Sequence, residues 1–142
     1  CIRDRIYVTK AIVNKMIENS NGHIINIGSL AGREVYPKGN VYSASKYAVK
    51  AISQSLRLDL NKYNIKVSEI NPGLVETSFS EVRFKGDVKK SEAVYKGYKA
   101  LQAKDIAEII SFVITRPSHV NIADLLVLPS DQASSTVINK NL

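Results

Sequence analysis

Residues 22–49 read GHIINIGSLAGREVYPKGNVYSASKYAV, and this stretch decides the fold. It opens with a short run, Ile24, Ile25 and Ile27, that is β-branched and bounded by glycines. Such a run reads as a buried strand over 23–28. Residues 29–40 hold Gly32, Pro37 and Gly39, so they form a loop. A long helix is then expected over 41–63. Its first half is rich in small residues (Ser43, Ala44, Ser45, Ala48, Ala51), which let another backbone approach closely, and its second half places Ile52, Leu56 and Leu60 at helical spacing.

Working outward, residues 5–18 carry Ile6, Val8, Ile12, Val13, Met16 and Ile17 at spacings that fit an amphipathic helix, closed by the turn residues 19–22. On the other side, residues 65–70 (IKVSEI) alternate apolar and polar as a second strand, and Asn71, Pro72 and Gly73 stop it. Residues 74–90 are polar and irregular, with room for short helical turns. Helices are expected over 91–100 and, more clearly, over 104–115, which Pro117 follows. A third apolar strand is expected over 124–128, and the residues after Pro129 read as a loosely held tail. Strands separated by helices imply crossover connections and a parallel sheet with helices on its faces. The fold class is therefore α/β. Three strands make a narrow sheet that wants partners on one flank.

Composition bounds the function. The chain has 142 residues, 44% hydrophobic and 23% charged, which suits a globular domain. Its apolar runs are far shorter than the roughly 20 residues of a membrane span. A single cysteine excludes an internal disulfide, and two histidines far apart in sequence make no metal site. Residues 1–14 carry charges throughout, so a secretory signal is not expected and a cytoplasmic location is the default. The net charge of +7 is concentrated in residues 1–100, with 17 basic and 9 acidic side chains. The lysines are scattered and no aromatic residues interleave with them, so a solvated basic surface is expected rather than a nucleic-acid site.

The chemistry gathers around Tyr42 and Lys46. If the helix begins at or before Tyr42, the two are one turn apart on one face. A phenol titrates near 10, and a nearby ammonium favours its ionised form. Bringing it to about 7 takes about 4 kcal/mol of differential stabilisation, more than one solvated lysine supplies. A lysine together with a bound cationic ring in a dry site supplies it. Ser29 ends the first strand, and Asn71, Pro72 and Gly73 end the second. The carboxyl ends of parallel strands are where α/β sheets bind ligands. Ser29, Tyr42, Lys46, Pro72 and Gly73 are thus expected to converge on one crevice.

The pieces HIINIGSLAG, VYSASKYAV and INPGLVET, in this order, resemble the short-chain dehydrogenase/reductase family over nearly the whole chain. The resemblance implies a Rossmann-type doubly wound parallel sheet that binds NADP or NAD. It implies that Tyr42 is the acid/base, that Lys46 holds the nicotinamide ribose and tunes Tyr42, and that Ser29 positions the substrate oxygen. Pro72, Gly73 and Thr77 would line the nicotinamide end, with Val75 offering backbone groups to the carboxamide. A narrower resemblance, carried by GNVYSASK, PGLVETSFSEVRFKGD and HVNIADLLVLPSDQAS, points to NADP-dependent dehydrogenases of serine and other 3-hydroxy acids. It implies a small hydroxy or keto substrate whose carboxylate pairs with Arg83 or Lys85. Arg83 is preferred because a guanidinium offers a bidentate fork. Family members often form homo-tetramers or dimers, and the same is expected of the complete protein.

Two departures stand against the pattern. The family's Gly-rich pyrophosphate turn does not occur, so the chain reads as the C-terminal half of one domain, expected to bind dinucleotide poorly and to be inactive alone. An asparagine that the family uses in a proton relay falls on Cys1, with its companion glycine on Asp4, and residues 1–5 do not resemble the family. The rival expectation is accordingly a non-catalytic chain, a pseudoenzyme or interaction module of the same fold.

Overall fold

The computed structural model describes residues 2–141. Helix α1 (Ile2–Glu18) leads into strand β1 (Gly22–Ile27). A 3₁₀ turn (Leu30–Gly32) and helix α2 (Asn40–Leu60) follow, then strand β2 (Ile65–Pro72). Next come a short strand β3 (Val75–Glu76), helices α3 (Phe79–Arg83) and α4 (Val88–Tyr95), and strand β4 (Leu101–Gln102). Helix α5 (Ala103–Ile114) and strand β5 (Asp124–Val127) complete the order. The main sheet is β1-β2-β5, parallel throughout, as the alternation of strands and helices predicts.

Strand β2 is central and buried over seven of its eight positions, Lys66 excepted. Val67 and Ile70 are fully buried. Around Val67 gather Ile24 of β1, Leu60 of α2 and Ile65, with Val13, Met16 and Ile17 of α1 packed against them. Of the apolar positions read over 5–18, Val13, Met16 and Ile17 thus pack on the sheet while Ile6, Val8 and Ile12 stay exposed, and the helix starts earlier, at Ile2. Helix α2 ends at Leu60, three residues before the expected end. Its last turn tightens to 3₁₀, and Asn64 adopts a left-handed conformation (φ 58°) that turns the chain into β2. No helix among the described residues is long and apolar enough to cross a membrane.

Three expectations are corrected. The helix placed at 91–100 runs instead over Val88–Tyr95, because the Asp87 side chain caps it by accepting the Lys90 N–H at 3.1 Å. Gly97 (φ 87°) lies past its end. Residues 75–76, read as irregular, pair with 101–102, which lie between the two expected helices, as a second parallel sheet too short to leave a periodic signal. The segment after Pro129 is not loose: Asp131 O accepts the Asn139 N–H at 2.8 Å, and Gln132 is only 5% exposed. Its composition hid this because the anchors are polar.

At the amino end of the sheet, His23 Nε2 lies 2.7 Å from Ser68 Oγ, and Ser68 donates to Asn121 Oδ1 at 3.2 Å. With its one proton so engaged, Ser68 receives the His23 Nε2–H. The Nδ1 atom is buried without a partner among the described residues. A proton on Nδ1 would lack an acceptor, and burial, with Lys66 nearby, holds the imidazole below its ordinary value. Stability that depends on neutral His23 is therefore present above about pH 6.5 and is lost as the pH falls through and below that value. Denaturant unfolding across this range should show a steeper loss in the native chain than in His23→Gln, and parallel pH profiles would refute it.

Candidate active site

The loop after β1 is drawn tightly onto α2. A Cβ on Gly32 would lie 2.8 Å from the Lys46 carbonyl oxygen, so only glycine lets the 3₁₀ turn approach the helix backbone this closely. The Tyr47 hydroxyl donates to Arg33 O at 2.6 Å across the same seam. Strand pairing continues past the formal end of β1. The Gly28 N–H donates to Ile70 O at 2.8 Å, and the Ser29 N–H to Asn71 Oδ1 at 3.0 Å. Ser29 is extended, and its Oγ accepts the Ala31 N–H at 3.1 Å.

These constraints place Ser29, Tyr42 and Lys46 on one crevice of about 360 Å³ at the carboxyl end of the sheet. Pro72, Gly73, Val75, Thr77 and Arg83 line the same crevice. Every predicted site residue except Lys85, the alternative to Arg83, is thus brought to one place. Cys1 lies outside the described residues, and so does the expectation attached to it.

Lys46 is one turn beyond Tyr42, with Nζ 5.8 Å from the phenol ring centre. Its ammonium donates to Gly28 O at 2.9 Å and Ile27 O at 3.4 Å and forms no ion pair among the described residues. Burial lowers the Lys46 pKa and Arg5 lowers it further, against the opposing charge of Glu69. Burial pushes the Tyr42 phenol up from its ordinary value, the Ser29 side chain pulls it back, Tyr36 raises it and the Arg83 guanidinium lowers it. On balance the phenol is raised in the chain alone, with burial the largest cause.

Sequence reasoning missed several walls of the crevice. Tyr36 lines it, with the Arg83 guanidinium 5.8 Å from its ring centre, and Gly39 backs that ring. The Tyr95 hydroxyl donates to Val75 O at 3.0 Å and lies 2.7 Å from Ser80 Oγ, so the Val75 carbonyl is already engaged. Phe79 packs on Tyr42 with ring centres 5.7 Å apart. These residues come from loops and short helices whose spacing carries no signal. Among the described residues no group of three His, Cys, Asp or Glu side chains is placed to hold a metal ion.

Comparison with known proteins gives the site a context. The short chain dehydrogenase family matches residues 4–88. An uncharacterized oxidoreductase of Mycobacterium tuberculosis is 46% identical over 129 residues, 91% of this chain and 51% of that protein. The NADP-dependent 3-hydroxy acid dehydrogenase of Escherichia coli K12 is also 46% identical over 129 residues, 90% of this chain and 52% of that protein. A serine dehydrogenase solved in its closed form with NADP+ superposes with a TM-score of 0.89 at 43% identity, covering 96% of this chain and 56% of that one. The chain spans about half the length of the curated relatives it matches.

Gly28 is the tightest point of the site. A Cβ there would lie 2.0 Å from Asn71 Oδ1 and 2.4 Å from Glu69 Oε1. Gly28→Ala should displace the Asn71 amide from the Ser29 N–H and lower stability by roughly 1–3 kcal/mol, the cost of overpacking. Denaturant unfolding that matches the native chain would contradict this.

Proposed function

The chain belongs to the short-chain dehydrogenase family, and on that premise we propose that it carries the reacting end of an NADP-dependent oxidoreductase acting on 3-hydroxy acids such as serine. The observation that carries this reading is the convergence of Ser29, Tyr42 and Lys46 with residues 72–77 on one crevice. NADP and the substrate class follow from the names of the relatives above. The residues present fit such a cofactor. Lys46 uses two of an ammonium's three N–H groups on backbone carbonyls, has no carboxylate bonded to it, and keeps a donor for a ribose hydroxyl. Pro72, Gly73, Val75 and Thr77 supply the wall against which the nicotinamide would rest. When bound in its oxidised form, the cofactor supplies a hydride acceptor and a positive ring.

The chain's own part is the proton. In oxidation the Tyr42 phenolate takes the hydroxyl proton of the substrate, and in reduction the phenol returns it to the developing alkoxide. Ser29 Oγ holds that oxygen beside Tyr42, and Lys46 favours the ionised phenol through space. Burial raises the phenol pKa in the chain alone. The same burial strengthens any cation that enters, because charges act over a lower effective dielectric there. Arg83 faces the crevice, rests on Tyr36 and Phe84, and forms no ion pair among the described residues. It is the group we assign to the substrate carboxylate. Exposed apolar residues on α1 (Ile6, Tyr7, Val8, Ile12) accord with assembly into a dimer or tetramer.

The test is a chimaera in which this chain replaces the matching stretch of the Escherichia coli relative. It should oxidise serine with NADP+. Tyr42→Phe should lower kcat by about 10²–10⁴-fold, the usual worth of a general acid/base, with the fold unchanged. Near-normal turnover would remove Tyr42 from the reaction. In the same chimaera Arg83→Leu should raise KM for a 3-hydroxy acid by about 10–100-fold, as expected for a charged hydrogen bond, and leave KM for an uncharged alcohol alone. An unchanged KM for the acid ends the Arg83 assignment.

A further inference from the structure

Residues 129–142 (PSDQASSTVINKNL) carry no chemistry that the proposed reaction uses. Yet they hold one of the few buried polar side chains near the crevice. Gln132 is 5% exposed and lines the crevice together with Ser135. Its Oε1 accepts the Leu74 N–H at 2.9 Å, and its Nε2 donates to Ser134 O at 3.1 Å. A Cβ on Gly73 would lie 2.3 Å from that same Oε1, so the glycine is the space through which the glutamine reaches Leu74.

The Leu74 peptide is fixed from three sides. Its N–H is held by Gln132, its carbonyl accepts the Leu101 N–H at 3.1 Å, and the preceding Gly73 N–H donates to Val127 O at 2.8 Å. Pro72, Gly73, Val75 and Thr77 border this peptide, and all four line the crevice. The segment that carries Gln132 is held in turn. Ser135 N–H donates to Glu34 Oε2 at 2.8 Å, which ties it to the loop after β1, and Gln132 and Ile138 form an antiparallel bridge. Among the described residues, Gln132 is the only side chain of the groups that fix Leu74, and it comes from 58 residues further along the chain.

We propose that Gln132 is a positioning residue of the crevice: its side-chain carbonyl holds the Leu74 amide, and thereby sets the backbone of residues 73–77 that a nicotinamide ring would meet. The anchoring stands on the hydrogen bonds alone, and only the identity of the ligand rests on the function proposed above. An acceptor is what the position requires. Methionine matches glutamine in length but offers no oxygen, whereas glutamate keeps an oxygen for Leu74 and loses the donation to Ser134.

The first arm of the experiment uses the 142-residue chain with residue-resolved amide exchange. In Gln132→Met the Leu74 amide should exchange about tenfold faster while Val67 and Ile70 keep their rates, since opening is then local. Gln132→Glu should recover most of the protection. An unchanged Leu74 rate, or a rise shared equally with Val67 and Ile70, overturns the proposal. In the second arm, run in the chimaera that supplies the rest of the domain, NADP+ should shift the Leu74 and Thr77 amides. The initial slope of that shift against concentration should fall about tenfold in Gln132→Met and return in Gln132→Glu. Equal slopes in all three overturn the positioning role. No shift in the unsubstituted chimaera overturns the dinucleotide reading and the positioning role with it, and the exchange rates still decide the anchoring. Should Gln132→Met not fold, Gln132→Asn, one methylene shorter, is expected to give the same local rise at Leu74, and its absence counts against the proposal in the same way.

Discussion

The crevice depends on β1 and β2 remaining in register beyond the end of their ladder. Gly28 N–H to Ile70 O continues the backbone pairing, and Ser29 N–H to Asn71 Oδ1 adds a side-chain rung where Pro72 brings the strand to its end. The Gly28 carbonyl on the same strand end accepts the Lys46 ammonium. A shift of one residue between the strands would turn Ser29 to the other face and take the acceptor away from Lys46. The absence of a side chain at Gly28 is part of the same lock, because Asn71 Oδ1 and Glu69 Oε1 occupy the space a Cβ would need. The catalytic geometry proposed for this chain is thus a by-product of how two parallel strands end.

What could be read from the sequence follows from how locally each feature is encoded. The strand 22–27, the helix 40–60 and the strand 65–72 each announce themselves within their own residues, by β-branched runs, helical spacing and a terminating Pro72. Tyr42 and Lys46 were legible because one helical turn brings them together whatever else the fold does. Ser29 was legible because the end of a parallel strand has a fixed place. By contrast, Tyr36, Tyr95 and Gln132 reach the crevice by meeting partners outside their own elements, Tyr95 meeting Val75 at a separation of 20 and Gln132 meeting Leu74 at 58. Nothing in local spacing encodes such a meeting. The polar segment after Pro129 was misread for the same reason: polarity usually marks solvent, but Gln132 is buried because its amide has both partners satisfied.

Burial also sets the charge state of the site. Glu69 is 2% exposed, and its Oε1 has no hydrogen-bond partner among the described residues. Burial and then Asp124 raise its pKa, while Lys50, Arg33 and Arg5 oppose them. Arg5, bonded to Asn26 Oδ1 at 2.8 Å and to Ile27 O at 3.2 Å, adds a cation whose charge lowers Lys46. Lys46 therefore sits between a buried carboxyl that favours its charge and a guanidinium that disfavours it. Tyr42 is raised by its own burial and lowered by Ser29 and Arg83. Both groups are held away from their ionised forms chiefly by the loss of water rather than by a fixed counter-charge. A cation brought against Tyr42 and an oxygen brought against Lys46 would then each be felt strongly, because little solvent remains to screen them. A crevice built this way holds the phenol proposed as acid/base above its ordinary pKa in the chain alone, and a cationic ligand would oppose that shift.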